Sequence, residues 1–365
     1  MLLRCSAEEW LEPDAGRLAC PVLRGRRRSN ARLLPDQLHG VNSQGKVALR
    51  RQIHRSQMRG LFVNLPPSLI GMEACASAHY WARTLQSYGH TVRLIAPHFV
   101  KPYVKTHKTD ATDAEAICEA VNRPNMRFVP IKSIEQQSAL SLHRVRAGFV
   151  RARTAQACQI RSLLAEFGLV MPRGIGNIKQ VPKLLQVAGK ELPAPFCRLI
   201  ERLLAHLKEL DRQARELEEQ IVDWHQRSEP SRRLAKIPGI GPITASALVA
   251  SISDVRSFKN GRELAAWLGL VPRQHSSGGK PTLLGISKRG DRYLRTLLVH
   301  GARSVIVRVL KRDDAKDGWL KRLLERRHIN VATVALAHKT VRTVWALLAH
   351  DREYCPNYKS LPVAA

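Results

Sequence analysis

Three carboxylates and one serine-bearing loop are the groups in this chain whose types and spacing could do chemistry. Glu73 stands in Gly71-Met72-Glu73-Ala74-Cys75, at the end of the short apolar run Ser68–Met72. That run reads as a buried strand, so Glu73 falls at its carboxyl end, the edge where sites form in open α/β sheets. Asp110 and Asp113 lie in Lys108-Thr109-Asp110-Ala111-Thr112-Asp113-Ala114-Glu115-Ala116. The alanine-rich stretch is helical, and residues three apart share one helical face. Carboxylates so placed can hold a hard divalent cation. Plainer roles fit the same residues: Glu73 as a solvated loop acid, Asp110 as an N-cap, Asp113 as an early-turn acid favoured by the helix dipole. Spacing alone leaves the choice open.

Ser276 and Ser277 sit in Gln274-His275-Ser276-Ser277-Gly278-Gly279-Lys280, and Gly285-Ile286-Ser287-Lys288-Arg289-Gly290-Asp291 follows, running on into Arg292 and Tyr293-Leu294-Arg295. A serine in a Gly-rich cationic loop can approach a phosphodiester, with nearby Lys and Arg to stabilise developing charge. Taken alone, such a loop is more often a phosphate grip than a nucleophile. His275 has no visible partner and stays outside the catalytic set. A second grip is Ile237-Pro238-Gly239-Ile240-Gly241-Pro242, ahead of a helix from Ala245 to Ser251. Backbone N–H groups around Gly239 and Gly241 can hold a phosphate at that helix N-terminus, as a helix–hairpin–helix element does, although an ordinary tight turn has the same residues.

The elements that must position these groups fall into two patterns. Lys46–Ile53 alternates like a strand, Ser77–Tyr88 has helical spacing ended by Gly89, and Thr91–Ile95 is again strand-like. Strand–helix–strand order predicts an α/β unit with parallel pairing. Long helices follow. One spans about Ile134–Phe167 and carries Arg144, Arg146, Arg151, Arg153 and Arg161. Another has apolar residues at Phe196, Ile200, Leu203, Leu207, Leu210, Ala214, Leu217, Ile221 and Trp224, spaced four and three in turn. That a/d seam predicts a coiled coil, within the chain or between chains, or else an amphipathic core helix; self-association follows from the coiled coil. Trp81 and Trp267 read as core.

Charge names the partner class. The 365 residues include 60 Lys plus Arg against 30 Asp plus Glu, a formal net charge of +30. A surface this basic calls for a polyanion, and phosphate backbones release condensed counterions when neutralised. Aromatics at 5% argue against a base-stacking single-strand binder. Seven scattered cysteines without a C-x-x-C pair argue against a disulfide framework or a structural zinc site and fit a reducing cytoplasm. No apolar run reaches bilayer length, and the acidic N-terminus lacks the order of a signal peptide, so no membrane partner is expected.

Taken in order, Gly-Met-Glu-Ala-Cys, Lys-Thr-Asp-Ala-Thr-Asp-Ala, Pro-Gly-Ile-Gly, Ser-Ser-Gly-Gly and Ile-Ser-Lys-Arg-Gly-Asp resemble the IS110 family of insertion-sequence transposases, and its IS1111 subgroup in particular, from about Gln37 to the C-terminus. The resemblance implies an α/β domain of ribonuclease H-like (RuvC-like) type over 37–170, using a D-E-D-D tetrad with Mg²⁺. Glu73 would be its glutamate, and Asp110 and Asp113 its final aspartate pair. A helical linker and coiled coil over 171–231 and a mainly α C-terminal transposase domain over 232–365 would follow. Ser277, with Ser276 as the alternative, would be the nucleophile. Gly239, Gly241, Lys280, Lys288, Arg289, Arg292 and Arg295 would contact nucleic acid. The implied reaction is cleavage and rejoining of DNA, at element ends and target, through a covalent serine–DNA link. A structured guide RNA would direct it, in a homo-oligomer joined through the coiled coil at 196–224, with a composite site where the two halves meet.

One departure bears on activity. The family's first aspartate lies in a strand reading roughly Gly-Ile-Asp, and counting back from Gln37 places Asn30 there, within Arg28-Ser29-Asn30-Ala31-Arg32. Residues 1–36 are therefore read as an altered start or shifted frame, poorly ordered and without the first strand. A neutral Asn ligand weakens cation binding where charge count matters. Three readings stand: a serine-using transposase, a Mg²⁺-dependent junction nuclease, and a catalytically inactive copy that only binds nucleic acid.

Overall fold

The computed structural model describes residues 36–105, 107, 109–188, 191–311 and 318–356. Asn30 and Lys108 lie outside the described residues, as does the rest of the segment before Asp36. The chain divides into two compact units at Ser133/Ile134.

The first unit is α/β. Strands β1 (Asp36–Val41) and β2 (Val47–Ile53) form an antiparallel hairpin. Its turn is set by Asn42, whose Oδ1 accepts the N–H groups of Gln44 and Lys46. Helix α1 (Met58–Val63) leads to β3 (Leu69–Glu73), helix α2 (Ala78–Ser87) and β4 (Thr91–Ile95). Strand β3 pairs parallel with β4, Leu69 opposite Thr91 through Glu73 opposite Ile95. Helices α3 (Pro97–Val100) and α4 (Asp110–Val121) follow, and β5 (Phe128–Val129) closes a small mixed sheet antiparallel to β4. The parallel pairing matches the strand–helix–strand reading.

One core joins Leu38 and Ile53 of the hairpin to Ile70, Met72, Trp81, Leu85 and Leu94. Each such side chain contributes about 1.5–3 kcal/mol on burial. His90 is tied into this unit by both ring nitrogens: Nδ1 accepts the Ser68 N–H at 3.2 Å, and Nε2–H donates to the Phe62 carbonyl at 2.9 Å. The Asp36 carboxylate is buried beside Arg55 at 3.4 Å.

The second unit is mainly helical. Helix α5 (Ile134–Ala165) is followed by α6 (Val181–Ala188) and α7 (Ala194–Arg227). All nine seam residues of α7 are buried or half-buried. The cover comes from α5 of the same chain: Arg146 pairs with Glu218, Arg153 with Asp211, and His206 Nδ1 meets Gln156 Oε1 at 2.8 Å. Partner numbers fall as α5 numbers rise, so the two helices run antiparallel. The seam is thus buried within the chain and does not call for a second copy.

Helix α8 (Glu229–Leu234) turns into α9 (Pro242–Ser251), and α10 (Gly261–Trp267) leads to a hairpin of β6 (Pro272–Ser277) and β7 (Lys280–Ile286). Helices α11 (Arg292–Lys311), α12 (Gly318–Arg326) and α13 (Ile329–Ala349) complete the unit. Leu234, Ile240, Leu248, Leu264, Leu298 and Val341 belong to its main core. Trp81 is buried as expected, but Trp267 is 39% exposed; it ends α10 against Phe258 rather than filling the core. No helix among the described residues is long and apolar enough to cross a membrane.

Candidate functional site

The carboxylates are placed by the packing of β3 on α4. Gly71 is tight: a Cβ there would come within 2.9 Å of the Val121 Cβ and 3.1 Å of the Ile117 Cγ2. Gly71 and Glu73 share one face of the strand, because side chains alternate. Asp113, Ile117 and Val121 are four apart and share one stripe of the helix. Glu73 and Asp113 therefore lie on the two surfaces that pack together, and both are buried, at 8% and 5% exposure. Glu73 is the last residue of β3, the strand end expected for it.

Asp110 differs. It is exposed, and it is not the N-cap. Thr109 takes that role, its Oγ1 accepting the Thr112 N–H at 3.2 Å while Thr112 Oγ1 accepts the Thr109 N–H at 2.9 Å. Asp110 and Asp113 are first-turn acids of α4, favoured there by the helix dipole. Among the described residues no group of three or more His, Cys, Asp or Glu side chains could hold a metal ion. Glu73, Asp110 and Asp113 therefore fall short of a complete Mg²⁺ site.

The serine loop is a β-hairpin. Ser277 pairs with Lys280 across Gly278 and Gly279, whose φ angles of +56° and +75° suit a two-residue turn with both central residues left-handed. The sequence reads there as a Gly-rich loop; Gly-Gly between two short runs is the trace from which the hairpin could have been found. Both strands are exposed almost throughout, Ser276, Ser277 and Lys280 included. Gln274 Nε2 donates to Ser276 Oγ at 2.7 Å, which leaves Ser277 at the tip beside the glycines.

The basic turn after β7 is held by its backbone. Ser287 N–H donates to Val271 O at 2.8 Å and Lys288 N–H to Gly269 O at 3.1 Å. Asp291 Oδ1 accepts the Leu294 N–H, opening α11. Arg295 belongs to this scaffold: its Nη1 donates to Leu268 O at 2.9 Å and to Arg289 O at 3.0 Å. It shapes the turn, whereas Lys288, Arg289 and Arg292 are exposed. On α5, Arg146 and Arg153 are likewise engaged by acids of α7, while Arg144 and Arg151 face solvent.

The turn between α8 and α9 rests on α11. Gly239 has φ +85°, and a Cβ on it would meet Gly301 O at 2.8 Å; a Cβ on Gly301 would meet Gly239 O at 2.0 Å. Gly301→Ala is therefore expected to push the turn off α11, costing about 3 kcal/mol. The thermal midpoint of the full chain should fall by roughly 5–10 °C. A wild-type midpoint in that variant would show that the two backbones do not touch.

Sequence reasoning missed His143, a buried histidine of α5. Its Nδ1 meets Tyr293 Oη and its Nε2 meets Ser246 Oγ, each at 3.1 Å. Burial pushes its pKa down to about 4, with the Arg146 charge acting in the same direction. A polar residue among the apolar positions of a long helix was the one trace it left in the sequence.

An α/β unit with buried acids at a strand end and a helix start is followed by a mainly helical unit, and both lie in segments that match transposase family models. Residues 37–168 match the family model for the DEDD transposase domain, which is of the RuvC-like superfamily, and residues 231–317 match the model described as "Transposase IS116/IS110/IS902 family". Relatives extend over most of the chain. A Pseudomonas aeruginosa protein named "Probable family 20 transposase" is 53% identical over 88% of this chain and 95% of its own length. The transposase for insertion sequence element IS1111A of Coxiella burnetii is 42% identical over 87% of this chain and 88% of its own. The transposase for IS1328 of Yersinia enterocolitica is 42% identical over 85% and 92%. The chain belongs to the IS110/IS116/IS902 family of insertion-sequence transposases.

Proposed function

We propose that this transposase cuts and rejoins DNA through Ser277, with Glu73, Asp110 and Asp113 as the carboxylates of its first unit. The observation that carries the reading is the burial of Glu73 and Asp113 on the facing surfaces of β3 and α4, inside the segment that matches the DEDD domain. Among the described residues these carboxylates do not by themselves complete a Mg²⁺ site; Glu73, Asp110 and Asp113 would supply part of its ligands, and the bound ion would stabilise charge developing on the phosphate.

Ser277 Oγ forms a bond to phosphorus as one deoxyribose O–P bond breaks, and the serine proton ends on the freed hydroxyl. Attack by a hydroxyl from another strand reverses the step and completes exchange. A serine at the tip of an exposed hairpin, next to two glycines, lets a phosphodiester come close. The turn at Gly239 and Gly241 acts as a helix–hairpin–helix grip, and Lys280, Lys288, Arg289 and Arg292 contact phosphates. An RNA from the element directs target choice, and the protein works in the cytoplasm.

Two measurements test this. With DNA carrying the element ends, its flanking RNA and Mg²⁺, labelled DNA should stay attached to denatured protein. Binding without attachment would mark a copy that has lost cutting, and cutting without attachment would mark a plain nuclease. Separately, Lys288→Ala with Arg289→Ala should lower the slope of log K against log salt by about two, one per lost phosphate contact. An unchanged slope would remove the basic turn from the interface.

A further inference from the structure

Three helices of the second unit are joined by a polar chain, buried at His143 and Ser246 and half-buried at Tyr293, that none of the roles above uses. Ser246, in the first turns of α9, is fully buried, and its Oγ–H donates to Pro242 O at 2.7 Å. With that proton committed, Ser246 Oγ accepts from His143 Nε2–H on α5, and His143 Nδ1 accepts the Tyr293 hydroxyl of α11. Burial keeps the imidazole neutral, and the one-donor, one-acceptor tautomer this requires satisfies every atom of the chain. Apolar side chains could fill the same space, but a fully paired polar chain accepts only one register of the three helices.

The ends of the chain lie at the two places assigned to nucleic acid. Pro242 is the first residue of α9, directly after Gly239-Ile240-Gly241. Tyr293 directly follows Arg292, at the start of α11 and at the end of the basic turn. We propose that His143 is a positioning residue that locks the Gly239 turn and the Lys288–Arg292 turn in one register, so that both meet the same phosphate backbone at once. The proposal rests on the reading that these two turns contact nucleic acid.

The test uses the full chain and a fluorescein-labelled DNA duplex of arbitrary sequence, with affinity followed as a function of salt. Tyr293→Phe and Ser246→Ala each remove one hydroxyl and no charge, and His143→Leu removes the link itself. If His143 positions the two turns, all three weaken binding about tenfold and lower the salt slope by at least one, as though a cation had been deleted. A merely structural residue cannot do this, because a neutral buried substitution takes away no phosphate contact. If His143→Leu does not fold, the two hydroxyl deletions decide. A lowered melting temperature with wild-type affinity and slope would overturn the proposal. Lys288→Ala with Arg289→Ala is the reference: if it too leaves the slope unchanged, the interface reading has failed, a result distinct from failure of the His143 link alone.

Discussion

Glu73→Gln and Asp113→Asn are each expected to lower DNA strand cleavage by at least about 10³-fold, a loss of about 4 kcal/mol in transition-state stabilisation. Both substitutions keep size and hydrogen-bonding capacity and remove one negative charge. The sites are buried on the packed faces of β3 and α4, where a lost charge is not replaced by solvent. DNA affinity should hold, since it comes from the basic surface, and removing an acid from a chain of net charge +30 does not weaken that. Asp110→Asn should cost less, because Asp110 is exposed in the first turn of α4. Single-turnover cleavage and a binding isotherm on the same preparations check both halves. Activity within about threefold of wild type in Asp113→Asn would exclude it from the site, since a ligand carboxylate is worth far more.

Ser277→Ala is expected to abolish covalent attachment of DNA, with cleavage reduced by at least about 10³-fold and binding unchanged. The hairpin tip explains why binding survives: Ser277 is exposed and its ladder contacts with Lys280 are backbone contacts, which alanine retains. Ser276→Ala is the matched control. Ser276 Oγ accepts from Gln274 Nε2, so its loss changes the hairpin's surface and not the attacking atom. Gel retention of labelled DNA after denaturation distinguishes the two variants. If Ser276→Ala loses the adduct and Ser277→Ala keeps it, the neighbouring serine is the nucleophile.

The legible parts of the sequence were those where local pattern and burial agree. Thr91–Ile95 is a strand at the bounds its alternation indicates, and the seam from Phe196 to Trp224 is one buried face of one helix. Strand β1 was not legible: Asp36-Gln37-Leu38-His39-Gly40-Val41 has no clean alternation, and Asp36 and His39 are buried by their surroundings and not by their own apolarity. The destination of a long side chain was hidden for the same reason. Arg295 looks like its exposed neighbours in sequence, yet two carbonyls from separate segments claim it. The seam's partner was also hidden, because an a/d pattern does not say whether the covering helix comes from the same chain. Glu73 and Asp113 were legible as candidates. Their placement on facing surfaces was not, because it depends on the close approach of Gly71 to Ile117 and Val121, which joins segments far apart in sequence.

The most direct test is to trap the reaction and locate the bond. Full chain, DNA carrying the element ends, flanking RNA and Mg²⁺ are incubated and quenched, the complex is digested with protease and nuclease, and the peptides are read by mass spectrometry. The account predicts a nucleotide phosphate linked to the peptide that contains Ser277, at the Ser277 Oγ. Cleaved DNA with no nucleotide on any peptide, or a nucleotide on a residue outside the β6–β7 hairpin, would contradict it.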